Sequence, residues 1–309
     1  MDPKLLYQFH YICELGSLSA AAKWLNISQP TLTRNLQALE MAVGQPLVVR
    51  SRFGIAPTDI GMTLSEQGAH IVREMKRAEE IIDTAKNKSL PVMRIGAGPV
   101  IAATCLNDFC ISELERSNPV PFQTSVRKSR DLINDLVYNR IDMAIMATPP
   151  ESQQSGLGHQ FVAHENIALF AGAKSPLRNL GRSPTKTELE KARWVSIDVA
   201  LSPVTTLNNL LANLGIAPIQ PVAQFGLNAT GIIHCLKNTD ALAFLPEQVF
   251  SRMISPEDGI EKLDIHPSET KRVISLWHRS NLEVDPVLWA CFQRCLTFFQ
   301  NTLSQPQSS

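Results

Sequence analysis

Apolar residues recur three and four apart through the first forty-odd positions, which is the period of helices with one buried face. Leu5, Leu6, Phe9, Ile12 and Cys13 form the inner stripe of one helix. Ala20, Ala21 and Leu25 form that of a second, and Leu32, Leu36 and Leu39 that of a third. Ser17 or Ser19 is placed to cap the second, Asn26 and Ile27 make a turn, and Ser28 caps the third with Pro30 in its first turn. The spacing from Gly16 to Gly44 therefore predicts a helix-turn-helix. Pro46 to Arg50 and Ile55 to Thr58 then read as two short strands about a turn at Ser51 to Gly54, a wing.

No proline interrupts Asp59 to Asn87, where Leu64, Gly68, Ile71, Met75, Ala78, Ile82 and Ala85 alternate steps of four and three. This is a heptad seam on one long helix, with Thr58 as its N-cap. The stripe can pack on its own domain or on a second copy. A length of roughly 40 Å at ~1.5 Å per residue exceeds what a small winged domain covers, which favours dimerisation, with Leu64, Ile71, Met75, Ala78 and Ile82 as the contacts.

Ser89 to Pro91 breaks that helix, and the pattern changes to apolar runs alternating with amphipathic segments. Met93–Ala97, Pro121–Val126 and Ile141–Met146 read as strands, with helices over Ile101–Leu114 and Ser129–Asn139 between them. After a loop from Thr148 to Gly158, a crossing strand lies within Phe161–Ala171. It is followed by a helix at Thr187–Ala192, a strand at Trp194–Ile197, a helix at Val204–Leu214 and a strand at Val222–Phe225. A helix at Leu227–Lys237 and a strand at Leu242–Leu245 close this cycle. Arg272–His278 returns to the first lobe, and a helix runs from Pro286 to about Leu303. Strands alternating with helices imply a parallel α/β sheet. The expected domains are 1–58, a linker helix 59–88, and 91–303, with 91–163 and 268–303 in one lobe and 164–267 in the other. Hinges are expected near Ala163–Asn166 and His266–Ser268, and a flexible tail over 304–309.

Polar positions opposite these stripes carry the candidate chemistry. On the third helix Pro30, Arg34 and Gln37 oppose the leucines, flanked by Ser28, Gln29, Thr31 and Thr33. A guanidinium suits guanine or phosphate and an amide suits adenine, so this face fits a major groove, although many amphipathic helices carry an ordinary solvated face. Arg50 and Arg52 on the wing are placed for phosphates or the minor groove. In the second part, ligands of such sheets sit beyond the carboxyl ends of the strands. That rule places Gly98, Pro99, Val100, Arg127, Lys128, Ser129, Ala147 and Thr148 on one wall, and Ser202, Pro203, Val204, Phe225 and Asn228 on the other. Arg127 or Lys128 would either grip an anionic ligand or stay solvated.

Composition narrows the classes. The 309 residues are 44% hydrophobic and 19% charged with a net charge of +0, so DNA affinity must come from local arrangement and repetition of the module, not from a basic whole. There is no leader pattern and no apolar run near the roughly 18 residues that span a bilayer. A cytoplasmic protein without a membrane partner is expected. The six cysteines form no CxxC pair and read as buried apolar residues, with Cys105 and Cys235, each expected to head an amphipathic helix, as the candidates if one is redox-active. The seven histidines show no metal-ligand spacing, and no nucleophile elbow or phosphate loop is present. Neither catalytic residues, metal nor cofactor is therefore expected. A solute-binding protein or an enzyme stands as the alternative class, each leaving the first domain unexplained.

Residues at family spacing are Leu6, Phe9, Gly16-Ser17, Ala21-Ala22, Leu25, Ser28-Gln29-Pro30, Leu32, Leu36, Leu39-Glu40, Gly44, Pro46-Leu47, Arg50, Thr58 and Gly61. With these the chain resembles the LysR-type transcriptional regulators. It departs in Val48 and Val49 where a Phe is usual, Thr33 for Ser, Pro57 for Leu, and the apolar Gly98-Pro99-Val100 where hydroxyls are common. The resemblance implies an α/β protein with an all-α-dominated N-terminal winged helix-turn-helix and a two-lobed, type 2 periplasmic-binding-protein-like effector domain. It implies a sequence-specific regulator of transcription that binds double-stranded operator DNA. A small-molecule effector held between the lobes would modulate its activity. It implies self-association as a homodimer, with a homotetramer favoured, and leaves room for RNA polymerase as a partner.

Overall fold

The computed structural model describes residues 2–51, 54–87, 90–148, 157–197, 207–265 and 271–304. The chain divides into two compact units, Met1–Ser89 and Leu90–Ser309.

In the first unit, α1 (Pro3–Leu15), α2 (Leu18–Trp24) and α3 (Gln29–Val43) precede a hairpin of β1 (Val48–Ser51) and β2 (Gly54–Pro57), and α4 (Asp59–Asn87) follows. Ser17 caps α2, and Asn26 takes a left-handed φ of 53° in the turn. Leu6, Phe9, Ile12, Ala21, Ala22, Leu32, Leu36, Leu39, Leu47 and Val72 form the core. Ala20, expected inside, is exposed, and Ala22 takes its place. Ala21 and Leu25 face the core as expected, and Leu18 with Ala22 completes that face in place of Ala20. Buried Gln8 accepts from the Asn35 amide at 2.7 Å, a polar tie between α1 and α3. Pro57 ends β2 in register with Val48, so it closes the wing without disrupting it.

Thr58 caps α4, its hydroxyl accepting from Gly61 N at 3.1 Å. The seam reading needs correction along the first half of that helix. A Cβ at Gly68 would lie 2.2 Å from the Leu6 carbonyl oxygen and 2.8 Å from His10 Cβ, so this glycine admits α1 of the same chain. Leu64 and Ile71 pack on the same core. Farther along, Met75, Ala78 and Ile82 are exposed, as is Ile81. The side chain of Ala85 lies outside the described residues.

The second unit holds two sheets. In the first, the order is β4 (Phe122–Val126), β3 (Met93–Ala97), β5 (Met143–Ala147), β12 (Arg272–His278), β6 (Gly158–Glu165). β3 is parallel to β4 and β5, whereas β12 is antiparallel to β5 and β6. The second sheet has the order β10 (Leu242–Pro246), β7 (Ile167–Ala171), β11 (Glu261–Leu263), with β7 antiparallel to both neighbours. A short parallel pair, β8 (Val195–Ser196) and β9 (Ala223–Gln224), joins it through a bridge from Trp194 to Leu242. The expectation of wholly parallel sheets is thus corrected. Each lobe contains one strand that enters from the other lobe, β12 in one and β7 in the other, and that strand runs opposite to its neighbours.

The single crossing strand expected over 161–171 is two strands broken at Asn166, each paired in a different lobe. The short helix α11 (Glu247–Ser251), β11 and the 3-10 turns at Pro256–Asp258 and Leu282–Val284 had no counterpart in the sequence pattern. The segment after β3 is α5 (Pro99–Ile101), a π-helical turn over Ala102–Leu106, then α6 (Asn107–Leu114). The remaining helices are α7 (Ser129–Val137), α8 (Lys186–Lys191), α9 (Leu207–Asn213), α10 (Ala229–Asn238) and α12 (Pro286–Ser304). Ser304 thus belongs to α12, while 305–309 and the hinge at His266–Ser268 lie outside the described residues.

At the base of the first lobe Arg279 Nε donates to Asp142 Oδ1 at 2.7 Å, and Arg94 N donates to Oδ2 at 2.9 Å. Both charged groups are buried, Asp142 to 1% and Arg279 to 3% exposure, and together they lock β3, β5 and β12 at one level.

Candidate functional sites: a helix face and an interlobe cleft

On α3 the three leucines are within 2% of complete burial, which turns the opposite face outward. Gln29, Pro30, Thr31, Arg34 and Gln37 are exposed and Thr33 is half-buried. Not all hydroxyls are at the surface's disposal. Ser28 Oγ accepts from Thr31 N at 3.3 Å and lies 2.7 Å from Thr31 Oγ1, and Thr33 Oγ1 donates to the Gln29 carbonyl at 2.9 Å. Ser28 is therefore a cap first, and Arg34 and Gln37 are the long donors left for a base edge. Glu40 accepts from Leu47 N at 2.9 Å and so fixes the wing's start against this helix. The Arg50 side chain and all of Arg52 lie outside the described residues.

In the second unit, the carboxyl ends of β3, β4 and β5 meet Gly98, Arg127 and Thr148. Arg127 N donates to Ala97 O at 3.1 Å and Gly98 N to Ile145 O at 3.3 Å. Pro99, Val100 and Ala147 are buried, so this corner is apolar. Thr148 Oγ1 donates to Ser275 Oγ at 2.9 Å. Ser129 opens α7 fully buried, and its hydroxyl has no partner among the described residues. Arg127 points elsewhere: it is 56% exposed, with Nε 3.8 Å from Asp135 Oδ2 on the same helix. Lys128 is half-buried before α7. From the other lobe, Phe225 is half-buried and its N–H donates to Ser196 O, while Asn228 caps α10 by accepting from Gly231 N at 2.8 Å. Ser202, Pro203 and Val204 lie outside the described residues.

One charged cluster escaped the sequence reading. Glu165, 1% exposed at the end of β6, accepts from Gln248 N at 2.8 Å and Val249 N at 3.3 Å in the first turn of α11. Burial pushes its carboxyl pKa up, with those N–H groups and Arg272 opposing. Arg272 faces it in register across β12 and β6. Each reads locally as a polar position at a strand end, and only the pairing of two segments over a hundred residues apart brings them together.

All six cysteines are free thiols. Cys105 sits inside the π-helical turn and Cys235 in the second turn of α10, so neither heads a helix, contrary to expectation. Burial raises the Cys105 thiol pKa, the opposite of what activates a redox cysteine. Among the described residues no group of three or more His, Cys, Asp or Glu side chains could hold a metal ion.

Residues 3–62 match the profile of the bacterial regulatory helix-turn-helix proteins of the lysR family, and residues 89–300 match the LysR substrate binding domain. The chain belongs to the LysR family. It is a DNA-binding transcriptional regulator with an effector-binding domain. Among curated relatives, the HTH-type transcriptional regulator GalR of Pseudomonas putida is 24% identical over 305 residues, covering 96% of this chain and 76% of that protein. GbpR of Rhizobium radiobacter is 22% identical over 283 residues, covering 90% and 91%. The fold is shared with ArgP from Mycobacterium tuberculosis at a TM-score of 0.69 and 17% identity, over 99% of this chain and 100% of that one. It is also shared with full-length CbnR complexed with its target DNA, at 0.62 and 19%, over 97% and 100%. No helix of the LysR-family chain among the described residues is long and apolar enough to cross a membrane.

Proposed function

We propose that this regulator reads operator DNA through the outward face of α3, with Arg34 and Gln37 at base edges and Gln29, Pro30, Thr31 and Thr33 against the groove wall. Ser28 fixes the helix start, and Arg50 and Arg52 of the wing meet the backbone. The observation that carries this reading is the division of α3 into a buried leucine face and an exposed face bearing Arg34 and Gln37 with no acid among its groove-facing positions. One such module has a weak field, so operator affinity comes from copies paired through Met75, Ala78 and Ile82 on the exposed half of α4, as a dimer and then a tetramer. The protein acts in the cytoplasm, alongside RNA polymerase at promoters, and by binding, not catalysis.

A small effector binds between the lobes, against Gly98, Pro99, Val100, Ser129, Ala147 and Thr148 on one side and Ser202, Pro203, Val204, Phe225 and Asn228 on the other. Arg127, engaged with Asp135, contributes least. The effector acts by binding one lobe arrangement better than another and so resetting the spacing of the DNA-binding units. Selection of genomic fragments by the purified protein, followed by footprinting, tests the first part. Protection of an imperfect inverted repeat is the expected result. Retention of all fragments alike at moderate salt refutes it. Small molecules tied to the adjacent genes should then shift the footprint.

A further inference from the structure

Buried polar atoms in folded proteins almost always have partners, so an orphaned pair calls for a physical reason. Among the described residues, Arg272 Nε and Nη1 are both inaccessible to solvent and neither has a hydrogen-bond partner. Glu165 faces it in the register, where its two oxygens accept from Gln248 N and Val249 N and neither makes a hydrogen bond to Arg272 Nε or Nη1. Burial lowers the Arg272 pKa to about 10 against the pull of Glu165, so the group stays protonated at neutral pH. Arg272 as a whole is half-buried, but its Nε and Nη1 are desolvated donors without a hydrogen-bond partner, and Glu165 supplies the charge that faces them.

Its place in the fold matters as much. β12 is antiparallel to β5 with Ile274 opposite Ala147, so Arg272, two residues earlier, lies beyond the carboxyl end of β5. That is the edge at which Thr148 stands, and the Thr148 N–H donates to Val273 O at 2.8 Å. On the same face of β12, Ile274 belongs to the apolar cluster of Val100, Ala147 and Val249. A guanidinium with two open donors, faced by Glu165, thus borders the apolar residues at the carboxyl end of β5.

We propose that Arg272 is the charge-recognition residue of the effector site, and that its ligand is a small organic carboxylate whose apolar body lies against Val100 and Ala147. The assignment rests on the effector binding between the lobes. An anion accepting from a desolvated guanidinium completes the donors that Glu165 leaves open. Arg272 at the start of β12 faces Glu165 at the end of β6, next to the break at Asn166 where the chain passes into the other lobe, so its occupancy is linked to the setting of the lobes there.

The test compares full-length wild type, Arg272→Gln and Arg272→Lys by thermal unfolding in low salt, with acetate, cyclohexanecarboxylate and neutral cyclohexanecarboxamide as probes. Without probe, Arg272→Gln should stay folded but unfold somewhat below the wild-type temperature, since buried Glu165 loses its facing positive charge and keeps the Gln248 and Val249 N–H donors. Both carboxylates should raise the wild-type midpoint and the amide should not. Arg272→Gln should bind the carboxylates at least tenfold more weakly, and Arg272→Lys should keep part of the response. Three results overturn the proposal. Failure of Arg272→Gln to fold while Arg272→Lys folds would make Arg272 a structural counter-ion of Glu165. An undiminished carboxylate response in Arg272→Gln would put the anion elsewhere. A wild type that responds to neither carboxylate up to the solubility limit would remove the anion. If the amide alone shifts both the midpoint and the operator footprint, the cleft reading stands and only the charge assignment fails.

Discussion

Gly68→Ala separates two roles for the first half of α4. A Cβ there would sit 2.2 Å from the Leu6 carbonyl oxygen, where an ordinary carbon to oxygen contact is about 3.3 Å, so α4 must move roughly an ångström off α1. The obstacle is backbone and cannot rotate away. Moving the helix also loosens Leu6, Phe9, Ile71 and Val72 in the interface. Overpacking of this kind costs about 1–3 kcal/mol, here at the upper end, and the better helix propensity of alanine returns about 1. A net loss of about 2 kcal/mol is expected in the first unit. Hydrogen exchange in urea, followed in peptides from α1 and the start of α4, reads that unit without interference from the second. Gln67→Ala, at an exposed neighbouring position, adds an alanine without the clash and should be neutral or slightly stabilising. The loss should be the same at every protein concentration. An unchanged midpoint, or a loss that disappears as concentration rises, would place Gly68 in a seam between chains and refute the intrachain packing.

Four further outcomes follow from the geometry. Arg34→Ala should weaken operator binding by about 1–3 kcal/mol and relax base preference, whereas equal losses on operator and random DNA in gel-shift titrations would contradict base contact. Ile82→Glu, on the exposed half of α4, should lower the oligomeric state in sedimentation while the monomer stays folded; an unaltered oligomer would move the interface elsewhere. Asp142→Ala leaves the 3% exposed Arg279 without its counter-charge and should cost about 3–5 kcal/mol in thermal unfolding. His278 is held below its ordinary value of 6.5 chiefly by burial, with His159 adding to the shift and Glu283 opposing it. Its neutral form is the one the fold prefers, so stability should be full above that value and decline as pH falls through it. Replacement by Phe beside Trp289 and Phe292 should flatten part of that decline in calorimetric scans across acid pH.

Local pattern and local chemistry coincide in the first unit, which is why most of it could be read directly. The leucine stripe of α3, the Ser17 and Ser28 caps and the Thr58 cap are interactions within a few residues, and the structure has all of them. On α2 only Ala20 was misplaced, with Ala22 in its stead, because alanines on three successive positions give no periodic signal. The seam of α4 looked uniform in sequence, but its first half covers α1, a choice that depends on what is nearby in space and not on the stripe itself. Likewise Arg127 seemed placed for a ligand until Asp135, two turns along α7, was found beside it.

The order of helices and strands, their apolar faces and the groove-facing set on α3 were determined by the sequence, because periodicity and capping act over one or two turns. Strand direction and sheet membership were not, since a strand's neighbours are chosen by where the chain crosses between lobes. The break at Asn166, the reversed direction of β7 and β12, and the meeting of Glu165 with Arg272 all arise from that crossing. Tertiary structure alone decided which buried charges are neutralised and which donors remain open, because desolvation and pairing depend on residues far apart in the chain.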